Sequence, residues 1–235
     1  MQLFCFPYAG GTSAFYDQLE KELPTEISVI KLDYAGHGSR RGEPKYGSFS
    51  ELADDMYTRM KAARDEEENY AMFGYSMGGL CVYELLRRLC IEENNDEPIH
   101  LFLAAHSPHP EKEFLAFRAP GMDNEVRELT LRFGGIDRRL KDNNAFWRVY
   151  LPIYQWDYYL IGTCEDRLIE MGNSVPATVF YSETDTPYRE MRDWERYLNG
   201  NCDFFRFDGN HFFMNDHCAE IADIICRRLL PDRKK

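Results

Sequence analysis

Short runs rich in β-branched and aromatic residues alternate along this chain with segments whose apolar residues recur every three or four positions. The runs at residues 3–6, 27–32, 70–74, 99–105, 177–181 and 204–207 predict strands. Between them, Phe15, Leu19 and Leu23 recur at four-residue spacing, as do Leu52, Met56 and Met60. Leu80, Tyr83, Leu86 and Cys90 mark a further helix, and Ile221, Ile224, Ile225 and Leu229 mark an amphipathic one near the end. Strand–helix alternation of this kind predicts an α/β fold, a mostly parallel sheet with helices on both faces. Parallel neighbours require right-handed crossovers, so ligands collect at the carboxyl ends of the strands, and the functional residues are expected in the loops there.

One stretch breaks the rhythm. Residues 107–173 hold no clear strand but carry Phe114, Phe117, Phe133, Phe146, Trp147, Tyr150, Tyr154, Trp156, Tyr158 and Tyr159, with helical period over 125–133. A segment that long within one domain reads as an inserted helical lid, most of its aromatics packing onto the core and the remainder lining a pocket. No internal repeat or second domain is apparent, so residues 1–235 are expected to form a single domain, which at this length buries roughly 70–75% of its unfolded surface.

Composition narrows the possibilities. A mean hydropathy of -0.54 and 29% charged residues exclude an integral membrane protein, since no apolar run approaches the roughly 18 residues a spanning helix needs. The net charge of -12 and pI near 5.0 have the wrong sign for gripping phosphate backbones, so no nucleic-acid partner is expected. Met1 leads directly into Gln2-Leu-Phe-Cys-Phe6 without a basic or apolar leader, which predicts a cytoplasmic protein. The seven cysteines are odd in number and scattered, without a CxxC pair or a zinc-like spacing, so they are expected as reduced thiols and no metal or cofactor is expected. No heptad or interface stripe appears, and a monomer is expected.

The strongest chemical signal is Gly74-Tyr75-Ser76-Met77-Gly78-Gly79, a G-x-S-x-G elbow between a predicted strand and the helix predicted over 77–90. A serine hydroxyl is a weak nucleophile, and a sharp turn of this type holds it exposed at the sheet edge beside a base. In this arrangement the order along the chain is serine, acid, histidine. Of the six histidines only His211 follows the last predicted strand, which makes it the candidate base; His37, His100, His106, His109 and His217 read as turn, strand-start, loop and surface-helix residues. Asp185, just past the strand at 177–181, leads as the acid that holds the imidazole tautomer, with Asp208 and Glu183 as alternatives. The oxyanion formed on attack needs preorganised amide donors, for which Met77 after the nucleophile and Ala9 in Pro7-Tyr-Ala-Gly-Gly-Thr12 are the candidates. Gly10-Gly11 fits neither a Walker motif nor G-x-G-x-x-G.

Four segments taken together, Phe4-Cys-Phe-Pro-Tyr-Ala-Gly-Gly11, Asp33-Tyr-Ala-Gly-His-Gly-Ser-Arg40, Gly74-Tyr-Ser-Met-Gly-Gly79 and Phe207-Asp-Gly-Asn-His-Phe212, resemble the type II thioesterases, in order and across nearly the whole chain. These are stand-alone α/β-hydrolases of nonribosomal peptide and polyketide synthesis. The resemblance implies removal of acyl groups from the phosphopantetheine arm of an acyl-loaded carrier protein, with a flexible helical lid after the fourth strand. It makes Ser76 the nucleophile, Asp185 the acid and His211 the base, with Ala9 and Met77 as oxyanion donors. Two departures stand out: Tyr75 precedes the nucleophile where family members commonly have histidine, and Ser182-Glu-Thr-Asp185 lacks the glycine often found before the acid. A carboxylesterase or lipase-like hydrolase, and a carrier-binding protein without turnover, are the alternatives. Because carrier proteins are usually acidic, as this chain is, docking would need local basic patches, for which Arg40-Arg41, Arg87-Arg88 and the run from Arg227-Arg228 to Lys235 are candidates.

Overall fold

The computed structural model describes residues 1–92, 97–168 and 175–231. Six parallel strands form one sheet: β1 (Gln2–Phe6), β2 (Ser28–Lys31), β3 (Tyr70–Tyr75), β4 (His100–Ala104), β5 (Ala177–Tyr181) and β6 (Cys202–Arg206), in the order β2-β1-β3-β4-β5-β6. This is the α/β-hydrolase arrangement expected from the sequence. The strand order turns back at β1, whose neighbours are β2 on one side and β3 on the other, so the carboxyl ends of β1 and β3 lie side by side at the switch point.

Side-chain alternation distributes the apolar runs to two cores. Phe4, Phe6, Met72, Leu101, Leu103 and Val179 face one side, where α2 (Phe49–Ala63) and α3 (Met77–Glu92) cover them. Leu3, Cys5, Ala71, Phe73, Phe102 and Phe180 face the other, under α1 (Asp17–Glu22) and α8 (Met214–Leu229). With both faces covered, the four inner strands are buried almost throughout while the edge strands β2 and β6 are only partly so, which explains continuous rather than alternating hydrophobic runs in the middle of the sheet. α2 begins where Ser48 Oγ accepts the Glu51 amide and Glu51 in turn accepts from the Gly47 amide. All seven cysteines are free thiols, four of them buried.

Between β4 and β5 the chain builds a cap from a 3-10 segment (Lys112–Arg118), α4 (Asp123–Phe133) and α5 (Asn144–Thr163). The helical cap was expected, though α5 as a single 20-residue helix was not; residues 169–173 of the expected insertion lie outside the described residues. Asn143 caps α5 by accepting from the amides of Ala145 and Phe146. Trp147, Tyr154 and Tyr158 of α5 and Phe114 of the 3-10 segment pack into the core beneath. After β5 come two single-turn helices, α6 (Tyr188–Met191) and α7 (Trp194–Tyr197), whose Trp194 is fully buried and donates to the His106 carbonyl at 2.9 Å. Among the described residues, no helix is long and apolar enough to cross a membrane.

Candidate active site

Ser76 occupies the one-residue turn between β3 and α3 with φ = +54°, a left-handed conformation that L-residues other than glycine rarely hold. Its neighbours make the turn possible. A Cβ on Gly74 would stand 2.1 Å from the Gly78 carbonyl oxygen, and one on Gly78 would stand 2.0 Å from the Phe6 oxygen, so both glycines are required by close backbone approach. The turn is further held by the Ser76 amide donating to Ala104 O (2.7 Å) and the Gly79 amide to Ser76 O (2.8 Å). Strain of this kind, of order 1–3 kcal/mol, persists where the surroundings over-determine it, and it clusters at functional sites.

His211 and Asp185 arrive from the ends of β6 and β5. His211 Nδ1 lies 3.0 and 2.9 Å from the two Asp185 carboxylate oxygens, and both side chains are more than nine-tenths buried. Nδ1–H donates to the carboxylate, which leaves the lone pair on Nε2. Of the alternatives, Asp208 is exposed and pairs with Arg206 at 3.2 Å, and Glu183 is exposed. Phe133 of α4 packs against the imidazole with ring centroids 4.4 Å apart. Ser76 and His211 line one cavity of about 490 Å³ under the cap, together with Asp185, Phe114, Phe133 and Tyr158. A narrow slot beside it is lined by Tyr8, Ala9, Ser76, Tyr154 and His211. Among the described residues, no hydrogen bond joins the Ser76 hydroxyl to the imidazole; such bonds are often long before substrate binds.

Met77 directly follows Ser76, and Ala9 lines the narrow slot. Met77 opens α3, and the first N–H groups of a helix have no intrahelical acceptor. In the loop after β1, the Gly11 amide donates to Tyr8 O (2.9 Å) and the Gly10 amide to Asp157 Oδ2 (2.5 Å), whereas the Ala9 amide has no acceptor among the described residues.

The sequence is matched over residues 1–229 by the model of the thioesterase domain. The chain belongs to the thioesterase family. Relatives include the human medium-chain S-acyl fatty acid synthase thioesterase, 26% identical over 93% of this chain and 83% of that protein, and the thioesterase PikA5 of Streptomyces venezuelae, 27% identical over 99% and 82%. Similar solved structures include RedJ, a thioesterase of the prodiginine pathway in Streptomyces coelicolor (25% identity, TM-score 0.85, covering 97% of this chain and 90% of that one). Another is the type II thioesterase BorB of the borrelidin cluster (26%, TM-score 0.75, 97% and 92%). The likeness to type II thioesterases read from the four motifs therefore extends to the whole fold.

Against this family the two departures acquire partners. Tyr75 is fully buried and donates its hydroxyl to the His211 carbonyl at 2.7 Å; Ser182 and Thr184 both donate to the Gly209 carbonyl, at 2.5 and 2.6 Å. Two polar clusters escaped the sequence reading. Asp157 of α5, 1% exposed, receives His37 Nε2 at 2.8 Å as well as the Gly10 amide. Burial pushes the His37 imidazole down, but the carboxylate outweighs it and the ring titrates above its ordinary value. His106 follows Ala105, which is held at φ = +59°, and lines the main cavity with Nδ1 2.6 Å from Ser107 O and Nε2 3.1 Å from Glu111. Acceptors on both ring nitrogens call for the imidazolium; burial opposes it, yet Glu111 and the carbonyl push the ring up to about 9. His37 and His106 were read as a turn and a loop residue, and the only trace of the first cluster in the sequence is a lone carboxylate amid the aromatics Trp156 and Tyr158.

The thioesterase's candidate docking cations are largely engaged elsewhere. Arg40 is buried and bound to Glu43, Asp55 and the Asp33 carbonyl; Arg88 binds Asp54 and Glu84, Arg87 binds Glu84, Arg227 binds Asp223 and Arg228 binds Asp203. Arg41 is exposed, and residues 232–235 lie outside the described residues.

Proposed function

We propose that this thioesterase hydrolyses acyl thioesters carried on the phosphopantetheine arm of carrier proteins, through an acyl-enzyme on Ser76. The observation that carries the reading is the His211–Asp185 pair, its imidazole sharing a capped cavity with a serine held in a strained strand-to-helix turn. In the first step Ser76 Oγ attacks the thioester carbonyl carbon while His211 Nε2 takes the hydroxyl proton, and the Asp185 carboxylate stabilises the imidazolium. The carbonyl oxygen, now an anion, is met by the amides of Ala9 and Met77. The C–S bond breaks, the imidazolium returns the proton to the departing sulfur, and the pantetheine thiol leaves. Because a thiol ionises near pH 8.5, its departure asks less of the general acid than that of an alcohol. Water then gives its proton to His211, attacks the acyl-serine carbonyl, and the free acid departs as Ser76 recovers its proton.

Support for the carrier-bound substrate comes from similar proteins: RedJ is a thioesterase of the prodiginine biosynthetic pathway and BorB a type II thioesterase of the borrelidin biosynthetic cluster. The test compares turnover of an acyl-phosphopantetheinyl carrier protein with that of a p-nitrophenyl ester of the same acyl group. The carrier thioester is expected to have the higher kcat/KM, and Ser76→Ala is expected to abolish both. Equal or better use of the simple ester would replace the reading with a carboxylesterase, and turnover surviving in Ser76→Ala would remove the nucleophile.

A further inference from the structure

His211 stands on the loop after β6, an edge strand paired on one side only, and the loop leaves the sheet before the imidazole must be placed. Nothing in the sheet's own hydrogen bonding fixes residues 208–211. Three carbonyls of this stretch nevertheless accept side-chain donors. The Asp208 carbonyl lies 3.0 Å from His217 Nε2 on α8, the Gly209 carbonyl takes the Ser182 and Thr184 hydroxyls, and the His211 carbonyl takes the Tyr75 hydroxyl. The last two sets of donors share a position: Tyr75 immediately precedes Ser76, and Thr184 immediately precedes Asp185, with Ser182 two residues earlier on the same loop. Gly209, at φ = +120°, turns its carbonyl toward them. Tyr75 is also in edge contact with the His211 ring, the centroids 6.1 Å apart.

On this geometry, and resting on the catalytic reading above, we propose that Tyr75, Ser182 and Thr184 are positioning residues that tie the His211 loop directly to the nucleophile turn and the acid loop. Each segment that presents a reacting group thus holds the backbone of the segment that presents the base. A displacement of the loop by a fraction of an ångström would alter the Nε2–hydroxyl distance that must close for proton transfer, and such transfer is sensitive to distances of that size. The substrate touches none of these three hydroxyls in the proposed reaction, so their loss acts on the rate of the acylation step and leaves ground-state binding alone.

The test uses the full chain and a short acyl-pantetheine thioester. Tyr75→Phe removes one oxygen and keeps the ring. It is expected to lower kcat about 10- to 100-fold with KM within about twofold. Thr184→Val, on an exposed residue, is expected to lower kcat about three- to tenfold and serves if the buried substitution fails to fold. The decisive readout is a double-mutant cycle: in a His211→Ala background both substitutions should change the residual rate by less than twofold, because the group they position is gone. A kcat within twofold of the parent for both single variants overturns the proposal, as does an undiminished effect of either one in the His211→Ala background. Ser76→Ala run in parallel keeps the two ideas apart. If it retains turnover, the catalytic reading fails; if it is inactive while Tyr75→Phe and Thr184→Val match the parent, only the positioning role fails.

Discussion

The buried carboxylate of Asp157 offers a sharp quantitative test, because it connects a cap helix to the loop that carries Ala9. Its Oδ2 accepts from the Gly10 amide and from His37 Nε2, at 2.5 and 2.8 Å, with 1% of the residue exposed. Asp157→Ala leaves a buried imidazolium and a half-buried amide without their acceptor, and breaking a buried ion pair in this way costs about 3–5 kcal/mol. Asp157→Asn behaves differently. With its oxygen in the place of Oδ2, asparagine can still accept from the Gly10 amide and from Nε2–H of His37, whose Nδ1 lies 3.2 Å from Ala35 O. Only the charge assistance is lost, which places its cost at about 1–2 kcal/mol. Both variants should fold, since domains carry roughly 5–15 kcal/mol of stability. Urea unfolding at pH 7 is expected to separate the two by about 2 kcal/mol. In activity, an oxyanion donor is worth about 10²–10³ in kcat, the upper limit for Asp157→Ala if the Ala9 amide drifts from its place. Asparagine should retain most of the rate. The direction with pH follows from the raised His37 value: the pair's contribution is complete below about pH 6.5 and is lost as pH rises through the folded-state value. The parent's stability advantage over Asp157→Asn should therefore narrow on the alkaline side. Equal destabilisation by Ala and Asn, or Asp157→Ala turning over at the parent rate, would refute the argument.

Other consequences can be checked separately. Asp185→Asn should reduce kcat about 10³- to 10⁴-fold in a thioesterase assay while Asp208→Ala stays within about threefold, because only Asp185 reaches Nδ1 of His211. Gly78→Ala would place a methyl 2.0 Å from the Phe6 oxygen, in contact with backbone that cannot yield, and is expected to cost several kcal/mol in thermal or urea unfolding and to abolish turnover. Glu111→Gln removes the partner that helps push His106 up to about 9, so its stability deficit, about 2 kcal/mol after allowing for solvent at the half-exposed carboxylate, should be full below about pH 6.5 and vanish as pH rises through about 9. Unfolding curves from pH 6 to 10 measure it directly.

What was legible in the sequence was whatever short-range chemistry fixes. Six strands were readable because their apolar runs are bounded by turns, and β5 falls at residues 177–181 as expected. The last strand was expected at 204–207 and runs from Cys202 to Arg206, because Phe207 is buried beyond the end of the ladder while Cys202 and Asp203 pair with Ala177 and Thr178 without an apolar signature. The elbow was readable because glycine at two positions is dictated by contacts of 2.1 and 2.0 Å, which no other residue can satisfy. α5 was not, since its buried residues include Trp147, Leu151, Tyr154, Tyr158 and Ile161 together with a carboxylate, and Pro152 sits inside it. A helix enclosed on several sides blurs the 3.6-residue period that exposes an amphipathic one.

The remaining gap is one of distance along the chain. Gly10 and Asp157 are separated by 147 residues, Tyr75 and His211 by 136, and His37 and Asp157 by 120. Periodicity reports which face of an element is buried and says nothing of which buried polar group meets which, because that depends on the order in which the strands are laid down. A parallel sheet with its loops gathered at one edge converts these separations into contacts of 2.5–2.8 Å. The catalytic candidates could be ranked from sequence because their order relative to strands is set by the fold. Their supports could not, because a tyrosine before the serine and two hydroxyls before the acid have meaning only once β3, β5 and β6 are known to end at the same edge of one sheet. The motif departures were therefore rich in structural information: each places a hydrogen-bond donor against a carbonyl of the loop bearing His211 that, among the described residues, has no backbone donor.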